Sequence, residues 1–223
     1  MTDERPISDV DFVDLMRRRT QESAALSRAL LEDRALLNSL EKAAMETSEV
    51  LSAGGKVLLF GNGGSAAQAQ HIAAELVGRY KRERRGLPAL ALTVDTSCLT
   101  AIANDYSFDR VFARQVEALG ARGDIVFAIS TSGNSPSVLC GVEAAKSKGM
   151  IAVALTGRTG GSLKTKVDYC VMVPSDDTAR IQEAHLLMGH TLCEYVEEAL
   201  TRAAGRDGPP HPPRSTIIER EES

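Results

Sequence analysis

From Lys56 onward the chain alternates between two textures, and this alternation constrains its fold more than any other feature. Short runs with almost no polar residue occur at 57–60 (VLLF), 89–94 (ALALTV), 125–129 (IVFAI), 151–155 (IAVAL) and 169–173 (YCVMV), with helical periodicity between them. A strand that is apolar on both faces must be covered on both faces. Parallel strands in turn need a crossover of a dozen residues or more, usually a helix. The pattern predicts an α/β fold: a flavodoxin-like, doubly wound, five-stranded parallel sheet in the order 2-1-3-4-5.

Residues 8 to about 53 carry no strand signal. Val10, Phe12, Val13, Leu15 and Met16, then Leu26, Leu30 and Leu31, recur at helical spacing. A second segment, Leu36, Leu37, Leu40, Ala44, Met45 and Val50, runs to Gly54-Gly55, a natural helix stop. Two extra N-terminal helices over 1–55 are expected to pack against another copy of the chain, or equally on their own domain. The main domain is expected over 56–203, closed by a helix from Thr178 to Arg202. Residues 204–223 hold four of the eight prolines and end in charges, which reads as a disordered tail.

Composition narrows the classes. The 223 residues carry a net charge of −4, and five Phe, four Tyr and no Trp provide few stacking surfaces. A general nucleic-acid binder is therefore not expected. Cys98, Cys140, Cys170 and Cys193 show no C-x-x-C spacing and read as buried, reduced thiols. The polar start Met1-Thr2-Asp3-Glu4-Arg5 is no signal peptide, and no apolar run reaches membrane-spanning length. A cytoplasmic protein with no membrane partner is the expectation.

Two loops rich in glycine and hydroxyls stand at strand ends. Gly61-Asn62-Gly63-Gly64-Ser65 follows the first strand and opens a helix expected over Ala66–Arg79. Ser130-Thr131-Ser132-Gly133-Asn134-Ser135 follows the third strand and opens another, with Pro136 in its first turn. Glycines admit a ligand to the backbone, and N–H groups at a helix N-terminus hold an anion. In the predicted strand order both loops flank the switch point, where ligands bind. Either loop alone reads equally as turn and cap chemistry; together they point to a phosphate. The first has neither the Gly-Lys-Ser/Thr of a P-loop nor G-x-G-x-x-G spacing, which argues against nucleotides. The net charge of −4 does not oppose an anionic ligand, because such a site uses N–H groups and hydroxyls.

His71 and Glu75 are four apart, on one face of the first loop's helix. The last helix carries Gln182, His185 and His190. Imidazole, carboxylate and amide oxygen are all possible zinc ligands, but a His–Glu pair at this spacing also forms without a metal. Gln182 and His190 are separated by about 12 Å of helix rise, so both reach one ion only by leaning together or through a subunit interface.

The run GNGGSAAQAQHIAAELVGRY, the Asn104-Asp105 pair, STSGNS and ARIQEAHLLMGH closely resemble the phosphoheptose isomerases, bacterial enzymes of the sugar-isomerase (SIS) fold. The resemblance runs motif after motif from about residue 10 to 200. It implies a cytoplasmic homotetramer with active sites where subunits meet. The implied reaction converts sedoheptulose 7-phosphate to D-glycero-D-manno-heptose 7-phosphate, the first step of nucleotide-activated heptose synthesis for cell-surface glycans such as lipopolysaccharide. It further implies one zinc ion per subunit on His71, Glu75, Gln182 and His190. Implied substrate contacts are Asn62, Gly63, Gly64, Glu75, Asn104, Asp105, Ser130, Thr131, Ser132, Ser135 and Gln182, with Ser65 added as a neighbour. Glu75 is expected as the carbon base and His190 as the group exchanging protons with the sugar oxygens. His185 matches no functional position and reads as a packing residue; His211 in the tail reads as solvated. The run Lys81-Arg82-Glu83-Arg84-Arg85 reads as a solvated turn, or as a guide for an anionic sugar phosphate.

A second reading is a non-catalytic relative on the same fold, a tetramer that binds the bacterial replication initiator. SAAQAQH and the Leu99–Asp105 segment look at least as much like that protein. It departs from the isomerases at Gly64, Glu75, Ser132 and His190, and this chain carries the isomerase residue at all four. A third is an isomerase or sensor for another sugar phosphate.

Overall fold

The computed structural model describes residues 11–204. Val10, His211 and nearly all of the 204–223 tail lie outside the described residues. Two helices open the chain, α1 (Phe12–Glu32) and α2 (Arg34–Ser52). Asp33 is the hinge between them: its N–H bonds the Ala29 carbonyl at the end of α1, while its carboxylate accepts the Leu36 N–H at 2.9 Å. One carboxylate residue thus ends one helix and caps the next.

The alternating core follows as β1 (Val57–Gly61), α3 (Gly64–Val77), β2 (Ala89–Ala91), α4 (Thr96–Asp105), α5 (Val111–Leu119), β3 (Ile125–Ser130), α6 (Pro136–Ser147), β4 (Ile151–Thr156), β5 (Tyr169–Met172) and α7 (Thr178–Ala204). The strands form one parallel sheet in the order β2-β1-β3-β4-β5, as the apolar runs predicted. In register, Leu59 faces Phe127, Phe127 faces Val153 and Leu155 faces Val171.

Strand side chains alternate between two apolar layers. Val57, Leu59, Ile125, Phe127 and Leu155 pack with α2, α3 and α7, whereas Leu58, Phe60, Val126, Ala128 and Ala154 pack with α5 and α6. In the second layer the Phe60 and Phe112 rings stack with centroids 5.2 Å apart. A Cβ at Gly141 would lie 2.8 Å from the Phe60 ring, so α6 needs glycine there to approach the sheet.

Three features differ from the sequence reading, and the N-terminal helices divide between the two alternatives it left open. β2 stops at Ala91 rather than residue 94, because the Asp95 carboxylate caps α4 by accepting the Cys98 N–H at 2.9 Å and turns the chain out of the sheet. α3 spans Gly64–Val77, starting and ending earlier than expected. α2 belongs to the core, with Leu36, Leu40, Ala43, Ala44, Val50 and Leu51 buried; α1 buries only Leu30 and exposes Phe12, Val13, Met16 and Leu31. All four cysteines are free thiols, but only Cys193 is fully buried. Among the described residues no helix is long and apolar enough to cross a membrane.

Candidate functional site

The two loops meet at the carboxyl ends of β1 and β3. Asn62 Nδ2 donates to Ser135 Oγ at 2.8 Å and to Ser137 Oγ at 3.0 Å, tying one loop to the first turn of α6. Gly63 has φ +56°, a conformation open to glycine at little cost, and it delivers the chain into α3. A Cβ on Gly64 would fall 2.5 Å from Gln182 Nε2, so the first turn of α3 rests directly on the Gln182 amide. Ser65 is buried in that turn.

In the second loop Ser130 is buried, its Oγ 3.5 Å from Ser132 Oγ, which also accepts the Asn134 N–H at 3.2 Å. Thr131 and Ser132 line a crevice of about 290 Å³ with Arg158, Ser175 and Asp176. Asn104 and Asp105 bond each other at 2.9 Å on α4, a helix with no buried residue. Among the described residues no hydrogen bond joins this pair to either loop. Asp105 instead borders an apolar groove of about 600 Å³ with Leu90, Val94 and Tyr106.

Two turns into the helix that the first loop opens, α3 meets α7 and three ligating side chains come together. His71 Nε2 lies 2.8 Å from His190 Nε2 and 3.4 Å from Glu75 Oε1, and the ligand atoms of all three residues lie within 4.8 Å of one another. A tetrahedral zinc ion bonds imidazole nitrogen and carboxylate oxygen at about 2.0–2.2 Å. Such bonds place tetrahedral donors about 3.3 Å apart, so His71 and Glu75 are already at that spacing and the His190 ring would shift by about 0.5 Å to join them around the ion. Gln182, two turns before His190 on α7, has its amide against Gly64.

Sequence reasoning did not single out several residues of this region as functional groups. Gln68, one turn before His71, is buried; its Nε2 donates to the Gln182 carbonyl at 2.5 Å and its Oε1 has no hydrogen-bond partner. Its position at i−3 from His71 was the available signal. Tyr80 stacks on His190, with centroids 5.5 Å apart and planes 20° from parallel. Ser137 shares the Asn62 amide with Ser135.

His185 is a packing residue, as expected. It is buried with Nε2 3.1 Å from the Thr156 carbonyl oxygen, and burial lowers its pKa to about 4.

The basic run 81–85 is exposed, as the solvated-turn reading expected, except at Arg84, whose side chain is buried. Lys81, Arg82 and Arg84 pair with Glu194, Glu198 and Glu197 on α7. Arg84 and Glu197 are 6% and 1% exposed. Burial opposes the Glu197 charge, but N–H groups of Tyr80, Arg82 and Lys81 together with Arg84 outweigh it and hold the carboxyl below its ordinary range.

The chain matches the SIS domain family over residues 20–157. It is 51% identical to a phosphoheptose isomerase of Aneurinibacillus thermoaerophilus over 189 residues, 85% of this chain and 96% of that protein. The solved structure of phosphoheptose isomerase GmhA from Neisseria gonorrhoeae superposes with a TM-score of 0.79 at 42% identity, covering 84% of this chain and all of the other. A phosphoheptose isomerase from Francisella tularensis superposes with a TM-score of 0.81 at 38% identity, covering 85% of this chain and all of the other.

Proposed function

The chain belongs to the phosphoheptose isomerases of the SIS-domain fold, and from that membership we propose that it converts sedoheptulose 7-phosphate to D-glycero-D-manno-heptose 7-phosphate, opening nucleotide-activated heptose synthesis. The observation that carries this reading is the convergence of His71, Glu75 and His190, the first two on the helix that the glycine loop opens. A carboxylate and imidazoles held together in this way are what an aldose–ketose isomerase needs, and a scaffold has no use for them.

The phosphate is assigned to Ser130, Thr131, Ser132 and Ser135 with the N–H groups that open α6, supported by the Asn62 bridge between the loops. Asn62, Gly63, Gly64, Ser65 and Gln182 line the sugar, and Asn104 and Asp105 contribute sugar contacts from α4. Glu75 removes a proton from C1 of the ketose, leaving an enediol, and returns it to C2 to give the aldose. His190 moves the hydroxyl proton between the oxygens on C1 and C2. His71, Glu75, Gln182 and His190 would hold one zinc ion per subunit, which supplies Lewis-acid polarisation of those oxygens when bound.

The assembly in this reading is a cytoplasmic homotetramer with sites at subunit junctions. Its support is the exposed apolar face of α1 and the exposed Leu90, Val94, Tyr106 and Phe108 around the Asn104–Asp105 segment, together with the free cysteines.

Incubating metal-analysed protein with sedoheptulose 7-phosphate and following the aldoheptose by NMR tests the proposal. Turnover supports it. No turnover, with tight binding to the replication initiator, would replace it with the scaffold reading.

A further inference from the structure

A buried ion pair stands behind the three converging side chains and touches none of them by side chain. Arg84 spreads its guanidinium over the end of α3: Nη2 donates to the Glu75 carbonyl at 2.8 Å, and Nη1 donates to the carbonyls of Leu76 at 2.9 Å and Gly78 at 3.3 Å. These are carbonyls that a helix end leaves without intrahelical partners. Arg84 Nε lies 3.1 Å from Glu197 Oε2 on α7.

Glu197 in turn gathers the loop after α3, accepting the N–H groups of Tyr80 at 2.9 Å, Lys81 at 2.8 Å and Arg82 at 2.5 Å. The Tyr80 ring so held lies flat on His190. His190 and Glu197 are seven residues apart, two turns along one face of α7. One charge pair therefore touches both helices and the loop between their contacts.

We propose that Arg84, clamped by Glu197, is a positioning residue for isomerisation: it fixes the last turn of α3, and with it Glu75, against the face of α7 that carries His190. This rests on the reading of Glu75 and His190 given above. A flexible lysine cannot replace the planar guanidinium, because the role needs several carbonyls and a carboxylate bound at once. The loop assigned to the phosphate, residues 130–135, runs from β3 into α6 and not onto the clamped end of α3, so the clamp should act on chemistry and metal holding, not on the capture of the sugar phosphate.

The test compares wild type with Arg84→Gln, Arg84→Lys and Tyr80→Leu. Zn2+ affinity is measured by chelator competition without substrate, and kcat and KM are measured with sedoheptulose 7-phosphate, all per folded protein by circular dichroism. Arg84→Gln should weaken Zn2+ binding about 10–100-fold, the range for outer partners of metal ligands, and lower kcat at least about tenfold with KM within about twofold. Arg84→Lys should recover only part of either. Tyr80→Leu, which frees the His190 ring, should lower Zn2+ affinity and leave KM unchanged.

A purely structural clamp would lower the melting temperature and nothing else. Native Zn2+ affinity and kcat in folded Arg84→Gln overturn the proposal, as does a rise in KM alone. If Arg84→Gln does not fold, native Zn2+ affinity and kcat in both Arg84→Lys and Tyr80→Leu overturn it instead. Wild type that neither binds Zn2+ nor turns over substrate overturns the functional reading, and this inference with it.

Discussion

The Nε2 atoms of His71 and His190 lie 2.8 Å apart although 119 residues separate them in the chain. Glu75 Oε1 sits 3.4 Å from the first of them. Two ring nitrogens and a carboxylate oxygen held in so small a volume work as one unit, and a change at any of them should be felt in turnover or in metal binding.

Glu75→Gln keeps the size of the side chain and removes its basicity. Folding should be intact, and turnover of sedoheptulose 7-phosphate should fall by about 10²–10⁴-fold, the usual worth of a positioned acid–base group. The aldoheptose signal by NMR measures it. Near-native turnover would remove Glu75 from the base role.

Chelation should abolish turnover and added Zn2+ should restore it. His71→Ala should bind at least about tenfold less zinc than wild type at matched free metal, measured by elemental analysis after dialysis. Equal zinc content in the two proteins would show that the ion sits elsewhere.

Gly64→Ala adds a Cβ 2.5 Å from Gln182 Nε2 and 2.7 Å from its Oε1. The Gln182 amide must move, because the helix backbone cannot. The clash is with the end of a flexible side chain, so its relief costs little stability. A loss of activity with a nearly unchanged melting temperature is expected, since Gln182 is assigned to both sugar and zinc. A variant of native activity would show that the Gln182 amide position is irrelevant to turnover.

His185 predicts an acid limb in stability. Burial lowers its pKa from 6.5 to about 4. Between these values the unfolded chain binds the proton and the folded chain does not, so stability falls as pH drops from 6.5 toward 4. The contribution is of order 3 kcal/mol at the acid end. Urea melts across this range should show the loss, and His185→Leu should flatten this part of the profile. An unchanged slope in that variant would assign the limb to other groups.

The run 81–85 shows where sequence reasoning stops. Four cationic residues in five positions look like a solvated surface turn, because isolated charges belong in water. Glu197 on α7, more than 100 residues later, decides otherwise for Arg84, which is buried with its charge matched. Nothing local to the run marks Arg84 as different from Arg85. The N-terminal helices pose the same problem: both are amphipathic in sequence, yet α2 is built into the core along its length and α1 reaches it only near its end, through Leu26 and Leu30.

The sheet, its strand order and the two loops at the switch point were legible in the chain alone, because apolar runs, crossover lengths and glycine-rich turns are local properties that neighbouring residues dictate. So was the placing of His71 and Glu75 on one helical face. The partners of that pair follow only from how α3 docks on α7. Docking brings His190 to His71, Tyr80 to His190, Gln182 to Gly64 and Glu197 to Arg84. Those contacts join residues more than 100 positions apart, and a linear pattern has no term for the angle and depth at which two helices pack across a shared core.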